Sequence, residues 1–196
     1  TIVLNNDPKD ISKAFPEFFD MVLCDAPCSG EGMFRKEDQA VEQWSLENVQ
    51  ACALRQSYIL EEAYKCLKPG GTMVYSTCTF AIEENELCMQ KFIQEHPDMH
   101  LVPIEVDFGR KAFDLGCHTD YARRIFPMDG GEGHFIAKLQ KDVTSTEATV
   151  KLMQSQALPK EAKEFFDEFF VNQYPYNFVK NNKIYGGTQP FYEVGK

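Results

Sequence analysis

The sequence predicts an α/β domain built on a parallel sheet, and three observations carry that prediction. "FFDMVLCD" (18–25) is a short apolar run closed by turn residues, and from Ser45 onward apolar residues recur at three to four residue steps. "TMVYSTC" (72–78) then returns to β-branched and aromatic residues. Strand, helix, strand, a further helix and a hairpin is the order of a chain that winds helices over parallel strands.

Each element has its own signals. Segment 18–25, preceded by Pro16 and followed by Pro27 and Gly30, reads as a buried strand. Leu46, Val49, Ala53, Leu60, Ala63 and Leu67 share one helical face, with Ser45 as N-cap and "KPGG" (68–71) as the stop. After the strand at 72–78, Leu87, Cys88, Phe92 and Ile93 mark a second helix that Pro97 ends. "HLVPIEV" (100–106) reads as a strand, held to a sheet edge because Pro103 has no N–H. "RRIFP" and "GHFIAKL" flank "MDGGE", so 123–139 reads as a hairpin with a Gly-rich connection. Beyond Lys141 come a polar linker "DVTSTEATV", an amphipathic helix "PKEAKEFFDEFF" opened by Pro159, and two short strands in "YNFVKNNKIYGG". The chain therefore divides into 1–141 and 142–196, the second a small α+β extension too short to bury much by itself.

Composition narrows the function classes. The longest apolar runs fall far below the roughly 20 residues that span a bilayer, and "TIVLNNDPKD" has neither the basic flank nor the apolar stretch of a signal peptide. The expectation is a soluble, cytoplasmic chain with no membrane partner. Seven cysteines with no C-x-x-C pair argue against a disulfide framework or a zinc knuckle and for reduced thiols and no metal. Net charge is −10, and residues 143–196 are balanced at six acids against six lysines, so the excess lies in the first 142 residues. On charge alone the chain is a poor nucleic-acid binder.

The chemistry gathers at two strand ends. Ligands of open parallel sheets bind beyond the carboxyl ends of the strands, where "DAPC" and "STC" lie. Cys28 and Cys78 face the same edge if their strands are neighbours. Ser29, Gly30, Ser76, Thr77 and Thr79 are small or hydroxylic and leave these thiols accessible; the other five cysteines are expected to be buried packing residues. A thiolate attacks an electron-poor carbon, and Asp25 on its Pro-stiffened turn can hold or protonate the ring of a planar substrate. Such a pairing suits a heteroaromatic base. Arg35, Lys36, Arg123 and Arg124 are read as solvated or salt-bridged rather than phosphate-binding, and Trp44 and the aromatic cluster at 165–170 as core.

"DAPCSGEGMFRK", "LKPGGTMVYSTCTF", "EENE" and "RRIFPMDGGEGHFIAKL" together resemble the Sun/Fmu-type RNA (cytosine-5)-methyltransferases, most nearly the bacterial branch called rRNA small subunit methyltransferase F. The resemblance runs through residues 1 to 141, and the tail resembles the start of that branch's C-terminal extension. It implies a Rossmann-like S-adenosylmethionine-dependent methyltransferase sheet that methylates carbon 5 of cytosine in RNA, 16S ribosomal RNA in this branch. Cys78 of the "TC" motif would add to carbon 6 of the base, and Cys28 of the "PC" motif would assist release of the product. Asp25 would meet both the cofactor and the cytosine edge, and Asp7 and Asn5 in "LNND" would meet the adenosine side; for Asp7 a simple turn with Pro8 is the competing reading. Implied partners are ribosomal RNA or the small ribosomal subunit, with a monomeric full-length enzyme.

The family's Gly-rich cofactor loop and the acid after its second strand have no counterpart in this sequence. The expectation is a C-terminal half of a catalytic domain, inactive and weak in cofactor binding by itself, missing an N-terminal half and exposing an apolar edge near residues 1–4 or 20–24. Two other readings stand beside this one. A non-catalytic RNA-binding scaffold would not need both thiols accessible, and a nucleic-acid amino-methyltransferase would carry an Asp/Asn-Pro-Pro-aromatic motif where this chain has "DAPC".

Overall fold

The computed structural model of the chain describes residues 3–143, 152–169, 175–181, 183–188 and 190–192. Most of the polar linker (144–151), the first two residues of the sequence and Phe170 lie outside these. The elements, in order, are α1 (Pro8–Ala14), β1 (Phe19–Asp25), α2 (Asp38–Gln43), α3 (Leu46–Cys66), β2 (Leu67–Thr77), α4 (Glu86–Glu95), β3 (Met99–Leu101), β4 (Arg110–Lys111), β5 (Arg123–Ile125), β6 (His134–Lys141), α5 (Lys160–Phe169), β7 (Tyr176–Lys180) and β8 (Lys183–Gly187). Ser45 caps α3 as expected, its hydroxyl oxygen accepting from the Asn48 N–H at 3.0 Å.

The main sheet runs β1-β2-β6-β5-β4, with β3 also paired to β6. The expected parallel sheet is confined to one pair. β1 and β2 are parallel, whereas β6 runs antiparallel to β2, β3 and β5, so the sheet is mixed. The hairpin expected over 123–139 is the β5/β6 pair, with Ile125 opposite His134.

Three boundaries differ from the sequence reading. "KPGG" does not separate helix from strand, because α3 ends at Cys66 and β2 begins at once; the four residues form a bulge between the Phe19↔Leu67 and Met21↔Thr72 pairs. The strand expected over 100–106 stops at Leu101, two residues before the proline that cannot donate to a ladder. Helices α1 and α2 lie in segments where no helix was expected.

From Gly71 in β2 and from Phe135 in β6, buried and half-buried positions alternate, which aims Met73, Tyr75, Phe135, Ala137 and Leu139 at one side of the sheet. There they meet Leu60 and Ala63 of α3 and Met89 and Phe92 of α4 in the core. β1 is not the fully buried strand its composition implied. It is an edge strand with Cys24 turned to the core, while Met21 and Leu23 are 66% and 68% exposed and Val3 is exposed before it. This is the apolar edge expected near 20–24. In the extension, β7 and β8 form the expected hairpin, and Tyr192 packs against Phe15 and Phe18 of the main body. Phe165 of α5 is about half exposed, not core as the sequence reading had it. Among the described residues no helix is long and apolar enough to cross a membrane.

Candidate active site

The parallel register of β1 and β2 builds the site. Asp25 lies opposite Ser76, and the ladder ends with the Ala26 N–H donating to the Ser76 carbonyl at 2.9 Å. Three residues past Asp25 and two past Ser76 come Cys28 and Cys78, and their sulfur atoms meet at 3.1 Å. The Cys78 backbone N–H also donates to the Cys28 sulfur at 3.3 Å. Both thiols are free and half-buried, and both line a cavity of about 540 Å³ with Asp25, Met33, Gln43 and Asn48. Asp25 is exposed and accepts the Ser76 hydroxyl at 3.0 Å.

Contact between the sulfurs makes them unequal. Either sulfur can donate in this contact; with the Cys28 S–H as donor it pulls the Cys78 thiol down to about 7, against burial and the nearby charge of Asp25. The same bond, with burial, pushes Cys28 far up. The pair therefore ionises as one unit, with the charge on Cys78 and the proton on Cys28. Burial raises Cys24 to about 12 and Cys66 and Cys88 to about 11, so these thiols are inert at neutral pH. Cys52 is buried as well. Cys117 departs from the expected pattern, since it is half-buried rather than buried.

Three backbone segments converge behind the thiols. The Gly32 N–H donates to the Cys78 carbonyl at 2.8 Å, and a Cβ on Gly32 would stand 2.6 Å from the Gly133 carbonyl oxygen and 2.8 Å from that of Cys78. Only glycine permits this approach. Glu31 ties the "PC" turn to the "TC" turn, accepting the Phe80 N–H at 2.5 Å and the Thr79 hydroxyl at 2.7 Å. It also accepts the Trp44 indole N–H at 2.9 Å, which holds Trp44 at the surface rather than in the core.

The residues that sequence reasoning left without a role are those of "EENE". Glu84, Asn85 and Glu86 are fully buried, although their polarity reads as a solvated helix start. Glu84 takes the Ser29 N–H at 3.1 Å, contacts the Ser29 hydroxyl, and accepts the Gln56 amide at 2.7 Å. Asn85 accepts the Thr77 hydroxyl at 2.7 Å and donates to the Thr79 carbonyl at 3.0 Å. Glu86 pairs with Arg124 at 2.6 Å through Nε. Their signal was the company they keep: three polar residues between the "TC" turn and an apolar helix face, with no Gly or Pro among them.

Three of the four basic residues are salt-bridged as expected, Arg35 and Lys36 to Glu132 and Arg124 to Glu86, whereas Arg123 donates to the Ile104 carbonyl. Asp7 is the N-cap of α1, accepting the Lys9 N–H at 2.9 Å and the Tyr58 hydroxyl, and these bonds, Tyr58 first, hold its carboxyl below the usual range. The competing reading of Asp7, a turn with Pro8, has its counterpart in that cap. Asn5 is exposed on the extended lead-in. Among the described residues no group of His, Cys, Asp or Glu is arranged to hold a metal.

Solved methyltransferases share this fold. A methyltransferase homolog from Pyrococcus horikoshii is 32% identical, with a TM-score of 0.60 over 71% of this chain and 44% of that one. NSun6 from the same organism, solved with SFG, is 28% identical, with a TM-score of 0.56 over 70% of this chain and 34% of that one. The fold is thus the Rossmann-like α/β fold of methyltransferases. Residues 1–140 match the family model described as 16S rRNA methyltransferase RsmB/F, and the chain belongs to that family. Ribosomal RNA small subunit methyltransferase F of Aeromonas salmonicida is 38% identical over 136 residues, 69% of this chain. The chain spans 28% of that curated relative's length.

Proposed function

We infer that residues 1–141 carry the thiol side of an S-adenosylmethionine-dependent RNA (cytosine-5)-methyltransferase site acting on 16S ribosomal RNA, and that 142–196 begin an extension. The observation that carries this reading is the 3.1 Å contact between Cys28 and Cys78 beside Asp25 at the carboxyl ends of two parallel strands.

Cys78, ionised near neutral pH, is the nucleophile. Its sulfur bonds to carbon 6 of the cytosine, and the 5,6 double-bond electrons move to carbon 5, which then takes the methyl group. Solvent water takes the carbon 5 proton, the pair it leaves re-forms the 5,6 double bond, and the sulfur–carbon 6 pair returns to Cys78 as thiolate. The Cys28 S–H, donating to the Cys78 sulfur, stabilises it as the leaving thiolate and so serves release. Asp25, anchored by Ser76 and open to the cavity, accepts from the amino edge of the base.

S-adenosylmethionine, when bound, supplies an electrophilic methyl on a cationic sulfonium. The donor set fits it in kind: exposed carboxylates at Asp25 and Asp7 and the exposed amide of Asn5 match a cation and its amino and hydroxyl donors. SFG in the NSun6 structure, an S-adenosylmethionine analogue, supports this cofactor. The substrate reading rests on the family and its named relatives rather than on charge, since the basic residues near the site are paired to acids. Bisulfite mapping of ribosomal RNA from cells with and without the full-length gene tests it. One cytosine of small-subunit RNA loses protection in the deletion; unchanged protection at every site contradicts the assignment.

A further inference from the structure

The residue after each active-site cysteine points inward, and the two touch. Ser29 follows Cys28 and Thr79 follows Cys78, and their hydroxyl oxygens are 2.9 Å apart. Both are buried, Ser29 at 5% exposure and Thr79 at 1%. The contact is the middle of a longer row, because the Ser29 hydroxyl also bonds Glu84 Oε1 and the Thr79 hydroxyl lies 2.7 Å from Glu31 Oε2.

Counting protons fixes the direction of this row. Three contacts, Glu84 to Ser29, Ser29 to Thr79 and Thr79 to Glu31, need three hydrogens, and two hydroxyls supply two. Glu31 is the accepting end, since its carboxylate also takes the Phe80 N–H and the Trp44 indole N–H. Thr79 Oγ1 already accepts the Ala81 N–H at 3.1 Å. Its own proton goes to Glu31, so the Ser29 proton goes to Thr79. The third hydrogen then has one source, the Glu84 carboxyl.

Oε2 of Glu84 accepts the Gln56 amide at 2.7 Å and the nearer arm of the Ser29 N–H at 3.1 Å, while Oε1, reached by that N–H only at 3.3 Å, faces the Ser29 hydroxyl and is the oxygen that carries the proton. We propose that Glu84 is a neutral carboxylic acid that heads a one-way chain, Glu84 to Ser29 to Thr79 to Glu31, and that this chain is the positioning device holding the Cys28 and Cys78 sulfurs in contact. Full burial of Glu84 acts in the same direction, raising its pKa by desolvation. The role as a positioning device for methyl transfer rests on the function inferred above. The proton assignment and the thiol contact do not.

The test is the iodoacetamide alkylation rate of Cys78 at pH 7 in the full chain, read by mass spectrometry beside the melting temperature. An amide reproduces the neutral acid's pattern, one donor to Ser29 Oγ and one acceptor for the N–H groups. Glu84→Gln therefore keeps the wild-type rate, and the infrared difference spectrum against wild type shows the C=O stretch of a protonated carboxyl. Thr79→Val breaks the chain at constant shape; the thiols part, the Cys78 pKa rises, and the rate falls with the thiolate fraction, by about five-fold for the first unit of that rise. Thr79→Ser restores it. A slow Glu84→Gln variant without the infrared band overturns the proton assignment, and a folded Thr79→Val variant that reacts at the wild-type rate overturns the positioning role. Should the chain not methylate RNA, these outcomes are unaffected, which separates a failure here from a failure of the functional reading.

Discussion

The sulfur of Cys28 lies 3.1 Å from that of Cys78, although 50 positions separate the two residues in the chain. The contact gives two chemically similar side chains opposite tasks, one holding a proton and the other a charge. Removing Cys28 removes the hydrogen bond that keeps Cys78 acidic.

The first prediction is a pH profile. Because Cys78 is lowered to about 7, its thiolate fraction and alkylation rate climb steeply through that pH in the wild type. In Cys28→Ala the thiol returns toward the ordinary cysteine range near 8.5, so the climb moves to higher pH and the rate at pH 7 drops by about ten-fold or more. An unshifted profile would show that the sulfur contact does not set the acidity of Cys78.

Labelling of the native chain gives the second. Cys78 and Cys117 react with a small maleimide, Cys28 follows more slowly because its thiol keeps its proton, and Cys24, Cys52, Cys66 and Cys88 react only after denaturation. Peptide mapping distinguishes the two groups, and rapid native labelling of Cys24 or Cys66 would contradict the core described above.

Gly32 offers a steric test. Its missing Cβ leaves room for backbone oxygens of Cys78 and Gly133 that cannot swing aside as a side chain would. Gly32→Ala is expected to cost about 1–3 kcal/mol by overpacking, seen as a lower urea midpoint, and to slow Cys78 alkylation by displacing its turn.

The buried ion pair provides a stability test away from the thiols. Glu86 and Arg124 are 0% and 3% exposed, and Arg124 also donates to the Phe80 carbonyl at 3.0 Å. Truncating one partner strands the other charge, so Arg124→Ala should lose about 3–5 kcal/mol in denaturant unfolding. A loss below about 1 kcal/mol, the range of an exposed pair, would contradict the burial.

Much of this was legible in the residues, for reasons that differ between elements. The strand at 18–25, the helix from Ser45 and the hairpin over 123–139 follow from apolar periodicity and local turn chemistry, and all are present. Strand direction is not local: nothing in "GHFIAKL" says it runs against "TMVYSTC", and the mixed sheet had to be seen. The thiol pair was foreseeable because both cysteines follow strands, but their contact depends on the Asp25↔Ser76 register. Glu84, Asn85 and Glu86 carry charge or amide groups that ordinarily seek water, so their burial is set by partners from distant segments, which periodicity does not report.

The most direct test of the account is covalent capture. Full-length enzyme, S-adenosylmethionine and a cytosine-containing small-subunit RNA are mixed, denatured and resolved on a gel for wild type, Cys78→Ala and Cys28→Ala. Cys78→Ala should form no protein–RNA adduct, and Cys28→Ala should accumulate one because release is slowed. An adduct formed by Cys78→Ala and absent from Cys28→Ala would reverse the two roles and contradict the central claim.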